Sequence, residues 1–170
     1  MRRFLALLAS VATPAYADPL AITKSGTILS DPVGDIVPRS LPGAVTEYRT
    51  LASNPLANLF KAVRNLVMAE PLPDTVALCV GDLAAGKGPV EFAGGSLLGT
   101  GLLGSGLTYI HSAATPATDG LEFWNGSTWA YQPVAGPDGC DANVRAFRVI
   151  LGGTFATATS FQLRYRTRIR

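Results

Sequence analysis

From Phe161 to Arg170 the chain alternates without a break: Phe161, Leu163, Tyr165, Thr167 and Ile169 take one set of positions, and Gln162, Arg164, Arg166, Arg168 and Arg170 the other. A period of two puts the sets on opposite faces of an extended strand, while on a helix both would be spread around the axis. The segment predicts a strand with one dry and one wet face, and the dry face needs a second layer to cover it.

Shorter stretches of the same kind fill the rest. Residues 18–30 hold Ile22, Thr23, Thr27, Ile28 and Leu29 around Ser25-Gly26 and read as a first strand, with the glycine as the place for a bulge. The loop after Ser30 is turn chemistry (Asp31-Pro32, Val33-Gly34-Asp35, Leu41-Pro42-Gly43), because proline fixes φ and glycine accepts positive φ. It runs into a strand in which Thr46, Tyr48, Thr50 and Ala52 alternate with Glu47, Arg49 and Leu51. Short strands are expected at Thr75–Val80, Val90–Phe92 and Leu107–His111. Leu121–Trp124, Asn125-Gly126 and Thr128–Tyr131 read as a hairpin with a type I′ turn, flanked by Trp124 and Trp129. Val144–Leu151, Gly152-Gly153 and Thr154–Arg170 supply a closing pair of strands. The pattern is all-β.

Two stretches resist this reading. Leu56, Leu59, Phe60, Val63, Leu66 and Val67 form a helical stripe with Asn54 and Pro55 placed as N-cap and N1, so period alone predicts a helix over about 55–69. The competing reading, a strand over 62–69 leading into Glu70-Pro71-Leu72-Pro73, is the one adopted. Gly94–Gly106 is built largely from glycine, leucine, serine and threonine; it reads as a buried or half-buried loop with a short strand, with an apolar partner surface as the alternative.

The N-terminus reads as an export leader: Arg2 and Arg3, an apolar run from Phe4 to Val11 too short to span a bilayer, and Ala15-Tyr16-Ala17 as cleavage site. This divides the chain into a signal peptide, 1–17, and a single domain, 18–170, destined for the periplasm, the cell surface or the extracellular space. Without the leader arginines the formal charge of +2 falls to about zero, which gives no bulk attraction for nucleic acid. The charge is uneven, since residues 145–170 carry six arginines and no acid. Cys79 and Cys140 are the only cysteines, and a pair in an oxidising compartment is expected to bridge; two independent thiols are the alternative.

One set of motifs is distinctive. Asp31-Pro32, Leu41-Pro42-Gly43-Ala44-Val45, Glu47-Tyr48, Asn54 and the run from Asn65 to Pro73 resemble the conserved repeat domain of bacterial cell-surface proteins, a domain of unknown function, over roughly residues 22–80. Glu70 stands where that repeat usually has aspartate, and Asn54–Phe60 replaces its Asn-x-Gly turn. The resemblance implies an immunoglobulin-like antiparallel β-sandwich of about seven to ten strands on or outside the cell, without catalytic or ligand residues to carry over.

Chemical motifs are sparse. Gly81 to Lys87 begins like a phosphate-binding loop but fails at Gly88, where a hydroxyl is needed, and at Pro89. His111 is the only histidine, and no Gly-x-Ser-x-Gly elbow or metal-spaced Cys/His cluster accompanies it. No cofactor is expected. The one ion the loops suggest is calcium, at Asp31 and Asp35 or at Asp138 and Asp141, without the dense spacing of a recognised site. The expected protein is a non-catalytic structural or adhesive module of the bacterial envelope or extracellular surface, with a protein partner or self-assembly and no transmembrane anchor. The alternative is a binding module for envelope polysaccharide or another anionic ligand that uses Trp124, Trp129, Arg164, Arg166 and Arg168 as its surface; a hydrolase comes third.

Overall fold

The computed structural model describes residues 17–34, 36–95, 104–112 and 119–170. Residues 1–16 of the expected leader, Asp35 of one expected calcium pair, and most of Gly94–Gly106 lie outside them. Ten strands follow in order: β1 Ala21–Ser30, β2 Val45–Ser53, β3 Val63–Pro71, β4 Val76–Cys79, β5 Val90–Gly94, β6 Leu107–Thr108, β7 Leu121–Trp124, β8 Cys140–Asp141, β9 Ala146–Phe155 and β10 Ser160–Ile169. No helix among the described residues is long and apolar enough to cross a membrane.

The strands form two antiparallel sheets packed as a sandwich, and both sheets obey one rule. A long central strand has a long partner on one flank and two short strands end to end on the other. In the six-stranded sheet β10 pairs with β2 over its whole length, while β5 lies against Phe161–Tyr165 and β4 against Thr167–Ile169. In the four-stranded sheet β9 pairs with β3, and on its other flank β7 lies against Ala146–Val149 and β6 against Gly152–Gly153. β1 extends the larger sheet beyond β2, and β8 extends it beyond β4.

The dry face of β10 is the one its alternation predicts, with Phe161, Leu163, Tyr165 and Thr167 buried. It meets the inward residues of β9 across the sandwich. Phe147 packs edge-on to Tyr165 with ring centroids 4.9 Å apart, and Phe155 does the same to Phe161 at 5.3 Å. Val90, Leu78, Leu121, Val149 and Leu151 complete this core. β9 and β10 are thus not a hairpin. They are consecutive in sequence but belong to opposite layers, joined by the Ala156–Thr159 turn. Gly152-Gly153 is not their turn either, since it lies inside β9 beside β6.

The helical stripe at 55–69 is overturned and the strand reading upheld. Only a single 3-10 turn, Leu56–Asn58, precedes β3. Its apolar residues face water (Leu56, Leu59 and Phe60 are exposed, with Phe60 at φ 66°), while Asn54 and Asn58 are buried. The reason is backbone satisfaction: the Asn54 amide donates to the Phe155 carbonyl at 2.8 Å, and the Asn58 amide donates to the Asn54 side-chain oxygen at 2.8 Å and the Asp18 carbonyl at 3.0 Å. The bulge expected at Gly26 lies instead between Ile28 and Ser30. Gly26 has another duty, since a Cβ there would come 2.9 Å from the Tyr48 ring. Leu107–His111 contributes only a two-residue strand.

Candidate functional site

Beside β7, at the margin of the four-stranded sheet, the chain leaves an open cleft of about 840 Å³ that Val80, Asp82 and Pro89 of the β4–β5 connection also line. Strand β7 builds one wall. Leu121 and Phe123 point into the core, so Glu122 and Trp124 point outward. Glu122 stands opposite Arg148 of β9, and the guanidinium Nε donates to its carboxylate at 2.6 Å. Trp129 completes the group: the Arg148 guanidinium lies 4.5 Å from its ring centroid, and Trp124 is 5.7 Å away at an interplanar angle of 39°.

The turn that brings Trp129 back is not type I′. That geometry needs positive φ at both central residues, and only Gly126 has it, at φ 99°. The Asn125 side-chain oxygen instead accepts from the amides of Ser127 and Thr128, both at 3.0 Å, making an Asx turn. The expected second arm reduces to one bridge, Phe123 to Tyr131.

Tyr131 links the cleft to the loop behind it. Its hydroxyl donates to Asp141 at 2.8 Å, and Asp141 also accepts from the amides of Val134 and Asn143, each at 2.8 Å. Burial alone would push the Asp141 carboxyl up, but the Asn143 and Val134 amides and the Tyr131 hydroxyl outweigh it and hold its pKa below the usual range. The Tyr131 phenol moves the other way, raised by burial and by its bond to Asp141.

At the far wall His111 Nδ1 lies 3.0 Å from Asp119, whose carboxylate also accepts the Leu121 amide at 3.0 Å. The opposite nitrogen lies against Gly88, where a Cβ would collide with the ring. His111 and Asp119 are eight residues apart. Neither this pair nor the Tyr131–Asp141 pair was found by sequence reasoning, because no local periodicity records a contact made by two ends of a loop.

The expected arginine surface is elsewhere. Arg164, Arg166 and Arg168 project from the outer face of the six-stranded sheet, so they share no site with Trp124 and Trp129 on the opposite layer. Nor are they loose. Glu47 of β2, on the expected wet face, is only 4% exposed. It accepts from Arg49 at 2.8 Å and from Arg166 at 3.0 Å, with Arg164 at 3.6 Å. Arg164 reaches Glu91 at 2.6 Å, and Arg168 reaches Asp138 at 3.6 Å. Burial would raise the Glu47 pKa, but the bonds from Arg49 and Arg166 and the charge of Arg164 hold it below the ordinary glutamate value.

Cys79 and Cys140 are bridged, facing each other across the β4–β8 pair. The described residues of the expected calcium pairs, Asp31, Asp138 and Asp141, are turned to other partners. Asp31 accepts the amides of Val33, Gly34 and Arg39, which together with the Arg39 charge lower its pKa against the effect of burial. Asp138 pairs with Arg168, and Asp141 is held as described. No group of three or more possible ligands occurs among the described residues. Comparison of the chain with protein-family models, with curated proteins and with solved structures finds no match.

Proposed function

We propose that the chain is an exported, non-catalytic structural or adhesive module of the bacterial envelope or extracellular surface. The observation that carries this reading is the state of its carboxylates. Every Asp and Glu among the described residues accepts a hydrogen bond or ion pair from a named partner, mostly one on another strand or within its own loop. The sole histidine is held on one edge by Asp119 and packed on Gly88 at the other. Charges used in this way tie strands and loops together, which is the use a structural module makes of them. The Cys79–Cys140 bridge and the leader-like N-terminus support export. Fractionation of cells expressing the full chain tests the reading: the protein should leave the cytosol with its leader removed and its cysteines oxidised. Reduced, full-length protein in the cytosol would overturn it.

The cleft favours a second reading, a binding module for polysaccharide or an anionic ligand, now without the β10 arginines. Trp129, Tyr131, Glu122 and Arg148 place aromatic surface beside paired charges, the mixture that holds a hydroxylated or anionic ligand. Glycan-array binding lost in Trp129→Ala but retained in Arg166→Ala would select it over the structural reading.

A further inference from the structure

Each sheet has one long strand at its margin, and the two margins differ. β3 is interrupted by a bulge between Arg64 and Leu66, with Asn65 at φ 53°, and ends in Pro71. These features blunt an edge against further pairing. β1 has no such protection along most of its length. It runs for ten residues, contains no proline, and stays in register with β2 from Ala21 to Ile28, with its bulge only at the end. No described strand pairs with its other side, and nine of its ten residues are exposed. Lys24, its only charge, bonds Glu70 of β3 and lies 4.7 Å over the Tyr48 ring. The free edge is therefore uncharged apart from an ammonium already neutralised.

The sequence of this edge is nearly a palindrome about Ser25: Ile22-Thr23-Lys24-Ser25-Gly26-Thr27-Ile28. Reading antiparallel to itself, it sets Ile22 against Ile28, Thr23 against Thr27, and Lys24 against the side-chain-free Gly26. Parity is preserved, so every residue meets one from the same face of the sheet. β-Branched and Thr–Thr cross-strand pairs are favourable ones, and no like charges stand opposite each other. A two-fold axis through Ser25 closes such a contact on itself, as an isologous dimer requires.

We propose that β1 pairs antiparallel with β1 of a second copy, Ser25 opposite Ser25, fusing two six-stranded sheets into one continuous sheet across the dimer. The inference adds an interface to the functional reading above and holds whether or not the chain is an envelope module. Two readouts test it on the disulfide-bonded protein. Native mass measurement should find a dimer. Thr23→Lys/Thr27→Lys, which sets lysines opposite each other twice at exposed positions, should raise its dissociation constant on the order of tenfold, while Thr23→Glu/Thr27→Lys should restore it. Ser25→Cys should give a covalent dimer under mild oxidation, because directly opposed antiparallel residues lie about 4.5–5.5 Å apart at Cα, within disulfide reach. Thr27→Cys, whose mate is Thr23, should not. A monomer at all concentrations, a dimer indifferent to the paired lysines, or cross-linking no better at residue 25 than at residue 27 would each overturn the proposal.

Discussion

The two outer faces of the sandwich use the same side chains for opposite ends. On the six-stranded sheet Arg49, Arg164 and Arg166 close over Glu47, and the acid is almost wholly withdrawn from water. Register explains why: Arg164 stands directly opposite Arg49 and Arg166 opposite Glu47, so one buried carboxylate beside Glu91 resolves what would be a like-charge clash. On the four-stranded sheet Arg148 and Glu122 make a single half-exposed pair, and Trp129 and the cleft surround it. A network around a buried charge cannot release a member without leaving the rest uncompensated, whereas a rim pair can exchange its partner for a ligand. The first face is a network closed around one buried carboxylate, and the second carries a single pair beside a cleft.

One loop touches both. The Cys79–Cys140 bridge anchors the segment in which Asp138 reaches Arg168 of the closed face and Asp141 holds Tyr131 of the cleft wall. Cys79→Ala/Cys140→Ala should therefore weaken both faces and give the largest loss, about 4 kcal/mol for a closed loop of this length in the chain-entropy account. Urea denaturation measures it; a loss under about 1 kcal/mol would show that the loop holds without its anchor. Next comes Glu47→Ala, which strands the guanidiniums of Arg49 and Arg166 and leaves Arg164 to Glu91 alone. Because these are 22% to 41% exposed and can be rehydrated, the cost should be about 2–3 kcal/mol, below that of breaking a fully buried pair.

Acid should undo the closed face in the same way. Glu47 and Asp141 have folded pKa values below their unfolded ones, so the stability they contribute is complete above the ordinary carboxylate values of 4.5 and 3.8 and is lost as pH falls through the depressed folded values. Denaturation midpoints should be flat from about pH 7 to about pH 5.5 and fall steeply below about pH 4.5. Glu47→Ala should flatten that fall, and an unchanged slope would remove Glu47 as its main source. Within the cleft wall, Tyr131→Phe removes one bond to a charged acceptor and should cost about 1.5 kcal/mol.

The alternation of β10 told that Phe161, Leu163, Tyr165 and Thr167 would be buried, although Gln162 of the other face is buried too and Ile169 only partly so. The Trp124 and Trp129 pairing was also legible, since a short turn returns the chain to its start whatever the turn type. Period alone favoured a helix over the stripe from Leu56 to Val67, against the strand reading adopted for 62–69, because periodicity weighs apolar side chains only. Here the groups demanding burial were amides, Asn54 and Asn58, that complete the backbone bonds of a chain crossing. Glu47 was invisible for the reverse reason: its position on a wet face was read correctly, but its burial comes from arginines of β10 more than a hundred residues away. The six arginines without a nearby acid were the one hint, since such a row has to borrow its counter-charges from neighbouring strands.

The smallest effect separates the faces most sharply, because one substitution can be made on both. Arg164→Lys removes a fork that spans Glu47 and Glu91 through different nitrogens. A lysine ammonium is a point charge and cannot replace both contacts, so stability should fall by about 1 kcal/mol. Arg148→Lys keeps a charge opposite Glu122 but loses one of the two nitrogens that meet its carboxylate and the planar contact with Trp129, which at a partly exposed site should together cost about 0.5 kcal/mol. Its signature should appear in tryptophan emission, because the cation over the Trp129 ring changes, while Arg164→Lys leaves that spectrum as it was. Equal stability losses and silent emission in both variants would mean that Arg148 is as firmly built into the sheet as Arg164, and the contrast between a networked face and one with a single pair would collapse.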